Sequence, residues 1–152
     1  MGITYQTENL KDFIVEFAEL LKPHMHEINV TERLGFEFKP DYFRYVRLQE
    51  AGVILVITCR DDNKLIGYCV MSIMPHIRYQ ACKIATEDLY YIVPEYRGKG
   101  LGKQLFEETE KVLKEQGVNQ VVFSTKTYSD NSHIFEKLGY ELFEKHFTKR
   151  IL

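Results

Sequence analysis

The sequence predicts a mixed α/β (α+β) domain: a mostly antiparallel sheet with flanking helices and a β-α-β unit in its middle. Three observations carry this. Two β-rich runs, Val53 to Cys59 and Leu65 to Met74, are separated by the polar turn cluster Asp61-Asp62-Asn63-Lys64, which is the pattern of an antiparallel hairpin. A strand stopped by Pro94 and a strand from Gln120 to Ser124 enclose one amphipathic stripe, Leu101, Leu105, Phe106, Thr109, Val112 and Leu113. The first fifty residues carry apolar side chains at helical spacing instead.

Each element follows in order. A short strand near Ile3 to Gln6 leads into a helix marked by Phe13, Phe17, Leu20 and Leu21, which Pro23 is expected to end or kink. Pro40-Asp41 opens a second helix through Phe43, Val46 and Leu48, closed by Gly52. The hairpin comes next, then a fourth strand over about Lys83 to Val93. The glycine-rich segment after Pro94 feeds the helix that ends at Gly117, and Gln120 to Ser124 forms the following strand. A shorter helix from about Ser132 to Leu138 stops at Gly139, and Tyr140 to Phe143 and Phe147 to Ile151 read as two final strands. The predicted order is β-α-α-β-β-β-α-β-α-β-β. No repeat, low-complexity tract or linker divides the chain, so residues 1–152 are expected to form a single domain.

Composition bounds the function. With 45% hydrophobic and 28% charged residues the chain suits a folded, soluble domain. A net charge of -2 provides no broad basic surface, which speaks against nucleic-acid binding. The longest aliphatic run, Val53 to Ile57, is too short to span a bilayer, and no basic and apolar leader opens the sequence, so the expectation is a cytoplasmic protein with no membrane partner. Cys59, Cys69 and Cys82 lack metal-ligand spacing and read as reduced, mostly buried thiols. His24-Met25-His26-Glu27 is a weak zinc pattern because H-E-x-x-H is absent, and no metal is expected.

The glycine-rich turn carries the chemistry. A strand stopping at Pro94 and a helix starting near Gly100 leave backbone amides converging on one point at the positive end of a helix dipole, the arrangement that takes an anion. Gly98, Gly100 and Gly102 remove the β-carbons that would hold a phosphate off the main chain, while Arg97 and Lys99 or Lys103 can add charge. A diphosphate fits best. Neither G-x-G-x-x-G nor G-x-x-x-x-G-K-S/T is present, which disfavours a nucleotide-dependent oxidoreductase or kinase.

Pro94-Glu95-Tyr96-Arg97-Gly98-Lys99-Gly100-Leu101-Gly102 is similar to the Q/R-x-x-G-x-G/A signature of the GCN5-related N-acetyltransferase (GNAT) superfamily. The hairpin before it, the helix after it, the strand Gln120 to Ser124 and Phe135-Glu136-Lys137-Leu138-Gly139-Tyr140 stand in that family's order from about Val53 onward. The resemblance implies acetyl-CoA as acyl donor: main-chain groups of Tyr90, Tyr91 and Ile92 against the pantetheine arm, and amides from Gly98 through Leu101 to Lys103 under the pyrophosphate, with Asn131 as a further contact. It also implies a base on the fourth strand, for which Glu87 is the candidate, with Asp88 on the other face; His76, after the third strand, is an alternative. The family's tyrosine that protonates the leaving thiolate falls on Phe135, which has no proton to give. Tyr128, Ser129, Ser132, His133 or water are then left for that role.

The expected function is therefore transfer of an acetyl group to a primary amine of a small molecule or protein, by direct attack in a ternary complex. A non-catalytic acyl-CoA-binding module is the alternative that Phe135 motivates. Glu27, Glu32, Glu37 and Asp41 favour a cationic acceptor, and a homodimer fits an assembly common in that superfamily.

Overall fold

The computed structural model describes residues 2–152. Its sheet has five strands in the order β1-β2-β3-β4-β5: Ile3–Thr7, Ile54–Asp61, Lys64–Pro75, Lys83–Ile92 and Gln120–Val122. The first three interfaces are antiparallel, and β4 and β5 are parallel. The helices are α1 (Ile14–Ile28), α2 (Val30–Leu34), α3 (Tyr42–Glu50), α4 (Leu101–Glu115) and α5 (Ser132–Lys137). Among the described residues, no helix is long and apolar enough to cross a membrane.

Period-two alternation in β2 and β3 sends side chains to two cores. On one face Leu55, Ile57, Cys59, Ile66, Cys69 and Met71 pack against Leu101, Leu105 and Leu113 of α4. On the other, Val56, Tyr68 and Val70 pack against Phe17 and Leu21 of α1, with Tyr42 and Tyr45 of α3 at the margin. The centre of the second core is Phe17, fully buried, with its ring 5.0 Å from that of Tyr68. Truncating such a ring to alanine costs about 3–5 kcal/mol.

Three expectations change. Helix α1 does not end at Pro23 but continues to Ile28, because proline forfeits only its own N–H bond to the preceding turn and the next turn is fastened to the body. The fastening is His24, whose Nδ1 lies 2.6 Å from the Tyr68 hydroxyl. Strand β5 stops pairing at Val122 rather than Ser124, since a bulge opposite Val70 and Met71 leaves Asp88 without a partner and bends β4 away from β5. The two strands expected at Tyr140 to Phe143 and Phe147 to Ile151 do not form: residues 141–152 make no backbone ladder with the sheet. Their β-favouring side chains find no neighbouring strand within the chain.

Candidate active site

The parting of β4 and β5 produces the site. Beyond Thr86 and Val122 the two strands no longer pair, and a cavity of about 570 Å³ opens between them. Glu87 to Ile92 form one wall, Ser124, Lys126, Ser129 and Asn131 the other, and the start of α4 closes one end.

At that end the main chain does the work. Gly98 and Gly100 have φ of +77° and +80°, a left-handed conformation that a side chain disfavours. They turn the chain so that α4 begins at Leu101 with no side-chain cap and no acidic residue in its first turn. Free amides and the positive dipole end thus face the cavity. A Cβ built on Gly98, Gly100 or Gly102 meets nothing within 4 Å, so open space lies in front of the turn. Lys103 lines this end, whereas Lys99 turns outward with its ammonium 5.3 Å from the Tyr96 ring centre. The Lys99 side chain is thereby removed from the cavity expected to hold it.

Arg97 borders the cavity with its donors already engaged. Its Nε donates to the Ile92 carbonyl at 2.7 Å, and its two terminal nitrogens donate to the Glu27 carboxylate at 2.7 and 2.8 Å. That bidentate pair holds the Glu27 carboxyl below its usual range. The effect is to clamp the end of α1 onto the glycine-rich turn. Beside it His24 stacks on Tyr91 at 4.6 Å, and burial pushes its pKa down to about 4, so the ring is neutral.

The opposite end holds Glu87. It shares the face of β4 that looks toward β5, where Ser124 donates a hydrogen bond to it, and burial raises its pKa above the ordinary 4.5. Asp88, at the bulge, turns the other way and accepts from the Tyr45 hydroxyl at 2.5 Å. The Tyr90 hydroxyl donates to the Ser124 carbonyl at 3.0 Å and receives a longer contact from the Asn131 amide at 3.4 Å.

Of the residues singled out in the sequence, Glu87, Tyr90, Tyr91, Ile92, Arg97, Gly98, Gly100, Leu101, Gly102, Lys103 and Asn131 all line this cavity. His76 does not: its turn folds on itself, with Nδ1 accepting from the Arg78 amide at 3.1 Å and the ring against Tyr79. Tyr128 is spent elsewhere. Its hydroxyl donates to the Ile28 carbonyl at 2.7 Å while Arg33 sits 3.5 Å over its ring, strapping the loop after β5 to the α1–α2 corner. Phe135 is buried, 5.0 Å from the Phe123 ring and 4.9 Å from that of Phe106. Ser124 and Lys126 were not singled out. Their only signal was position, two and four residues past the end of β5 where the strands part.

The profile of the acetyltransferase (GNAT) family matches residues 15–140. An uncharacterized N-acetyltransferase of Chlorobaculum tepidum is 34% identical over 85 residues, covering 56% of this chain and 48% of that protein. The match thus spans about half the length of this curated relative. Among solved structures, an aminoglycoside acetyltransferase from an uncultured soil metagenomic sample, in complex with sisomicin, superposes with a TM-score of 0.78 at 16% identity, covering 99% of this chain and 97% of that one. A predicted acetyltransferase of Clostridium acetobutylicum, with acetyl-CoA, superposes with a TM-score of 0.73 at 12% identity, over 97% and 96% of the two chains. These structural likenesses concern the fold. The family profile covers most of the sequence, and the chain belongs to the acetyltransferase (GNAT) family.

Proposed function

We propose that residues 1–152 form a single acyl-CoA N-acyltransferase domain that transfers an acetyl group from acetyl-CoA to a primary amine of a small molecule or protein. The observation that carries this reading is one continuous cavity with a bare helix N-terminus at one end and a half-buried carboxylate, raised in pKa by its partial burial, at the other. The donor set fits the cofactor. Amides from Gly98 to Lys103 face open space suited to a pyrophosphate, and the β5-facing edge of Tyr90 to Ile92, unpaired past Thr86, suits the amide-bearing pantetheine arm. Bound there, acetyl-CoA supplies an activated thioester.

The chain supplies the rest. Glu87, oriented by Ser124 and raised in pKa by burial, takes a proton from the acceptor ammonium, directly or through water, leaving a neutral amine to attack. Strand amides near Tyr90 polarise the thioester carbonyl. The attacking nitrogen sheds a second proton as the amide forms; Tyr90, edge-on to Phe135 at 5.8 Å, brings a phenol to the wall where the family's tyrosine is missing, and it would give its proton to the departing thiolate and be reprotonated, through water, by the one the nitrogen sheds. Among the described residues no cysteine lines the cavity, and burial pushes the Cys59 and Cys69 thiols up to about 11 and about 12, which favours direct attack in a ternary complex over an acyl-enzyme. Glu87, whose carboxylate is not paired with any cation among the described residues, favours a cationic amine at its end of the cavity. Three free thiols fit a reducing cytoplasm.

A CoA-release assay with a panel of small amines and amino-terminal peptides tests the proposal. Turnover with at least one acceptor, with initial-velocity lines that intersect rather than run parallel, is expected. The second reading, a non-catalytic acyl-CoA-binding module, rests on Phe135 and predicts tight acetyl-CoA binding with no turnover on any acceptor.

A further inference from the structure

The reacting end of the cavity carries a cation that the transfer step leaves unused. Lys126 lines the wall opposite Glu87, two residues beyond Ser124, whose hydroxyl bonds the Glu87 carboxylate. Ser124 and Lys126 face the cavity while Thr125 between them does not, the alternation of extended chain. The backbone that bears Lys126 is pinned. Ser129 donates its amide to the Lys126 carbonyl at 3.1 Å, the Thr125 hydroxyl donates to the Ser129 carbonyl at 3.1 Å, and the Tyr128 hydroxyl straps the turn to the Ile28 carbonyl at 2.7 Å.

The other cations around the cavity are committed or stand elsewhere. Arg97 is held by Glu27, Lys103 lies 3.5 Å from the Glu107 carboxylate, and Lys137 stands at the C-terminal end of α5. Lys126 is exposed and forms no ion pair among the described residues. Of these cations it is the one whose charge acts on Glu87. Asp88, the next carboxylate in the chain, accepts from Tyr45 and turns away. The reacting end thus offers one carboxylate and one unpaired ammonium. Extended chain advances about 7 Å from Ser124 to Lys126, a spacing that suits a molecule with an amine and an anion a few bonds apart.

We propose that Lys126 binds an anionic group of the acceptor, a carboxylate or a phosphate, so that the substrate is a zwitterionic primary amine with its ammonium on Glu87 and its anion on Lys126. This inference rests on the acetyl-transfer reading of the cavity and names its substrate class. A polycationic amine meets like charge at Lys126 and is disfavoured. The pairing also acts on the base. Lys126 favours the ionised form of Glu87, so an anion that neutralises Lys126 weakens that hold, and the carboxylate takes a proton more readily once the acceptor is in place.

The test is CoA release with matched pairs of primary amines: amino acids against their carboxamides, and aminoalkyl phosphates against the corresponding amino alcohols. The anionic member is expected to show a kcat/KM about ten- to hundredfold higher, the worth of one charged hydrogen bond, and the series in which this appears tells carboxylate from phosphate. Lys126→Gln should erase the preference by raising KM for the anionic member, Lys126→Arg should keep most of it, and Lys126→Glu should turn it toward diamines. The side chain is exposed, so each variant should keep the wild-type circular dichroism. Neutral amines or diamines that match or exceed the anionic acceptors, or a preference that survives Lys126→Gln, overturn the inference and leave acetyl transfer standing. No release with any acceptor, by a protein that binds acetyl-CoA, overturns the transfer reading itself and this inference with it.

Discussion

The two ends of the cavity are built from different materials. The end formed by β4, the glycine-rich turn and α4 is made of backbone: amides, a helix dipole and glycines that leave room. The other end is made of side chains brought together over long stretches of sequence. Ser124 meets Glu87 across 37 residues and Asn131 meets Tyr90 across 41, while Arg97 reaches Glu27 across 70 to brace the glycine-rich turn and Tyr128 reaches Ile28 across 100 outside the cavity. On the proposed function the first construction grips the pyrophosphate and tolerates change in most side chains. On the proposed function the second positions the acceptor and takes its proton, and single substitutions should alter it.

Substitutions can break that contrast in order of expected effect. Glu87→Gln should lower kcat by about 10²–10⁴-fold, the span of a lost general base, while leaving the acetyl-CoA affinity unchanged. In the wild type, kcat/KM should fall with decreasing pH through a pKa above the ordinary carboxylate value, because burial raises Glu87 and only its ionised form accepts a proton. A pH profile shared by wild type and Glu87→Gln would remove Glu87 as the base.

His24 gives the next effect, on stability. In the unfolded chain its ring takes up a proton near its ordinary 6.5, whereas in the folded chain it does so only near 4. The unfolded state therefore binds more protons between these values, and stability falls as pH drops through that window, by about 3 kcal/mol in all. Melting temperatures from pH 7 to pH 4 should show this slope in the wild type and lose most of it in His24→Gln. Tyr90→Phe should reduce kcat by about tenfold with the acetyl-CoA affinity intact, since a thiolate is a tolerable leaving group even without a donor. Steady-state kinetics at saturating acetyl-CoA measures this, and an unchanged kcat would leave the thiolate's proton to water.

The smallest effect is expected at the clamp. Glu27 and Arg97 are both partly exposed, so solvent screens the pair and Glu27→Gln should cost about 1 kcal/mol or less of stability. Acetyl-CoA affinity should stay the same if Arg97 is a clamp. A several-fold gain in affinity on freeing Arg97 would instead make it a phosphate ligand held in reserve.

The same contrast explains what the sequence disclosed. Gly98, Gly100 and Gly102 between a strand and an amphipathic helix are a local pattern, and the turn they form lies where that pattern places it. Glu87 is what the family resemblance implies for a carboxylate on the fourth strand, and strand alternation puts it and Asp88 on opposite faces of β4. Ser124, the Glu27–Arg97 clamp and the engagement of Tyr128 depend on partners far off in the chain, which no local spacing reveals. His76 and the Lys99 side chain illustrate the converse: both have suitable chemistry near the expected place, and each is turned away by an aromatic neighbour, Tyr79 or Tyr96. The last two expected strands failed for a similar reason. A strand needs a paired edge as well as β-favouring residues, and residues 141–152 pair with neither edge of their own sheet.

The central claim is that one end of the cavity binds and the other reacts. Acetyl-CoA binding by calorimetry and amine-dependent CoA release, measured together on Gly102→Glu and Glu87→Gln, test it most directly. Gly102 is the better probe of the turn because, unlike Gly98 and Gly100, it has an ordinary helical φ and open space around its Cα, so a carboxylate there repels the pyrophosphate without straining the backbone. Gly102→Glu should stay folded and lose both binding and release, while Glu87→Gln should keep binding and lose release. Normal binding by Gly102→Glu, or loss of binding by Glu87→Gln, would contradict the division.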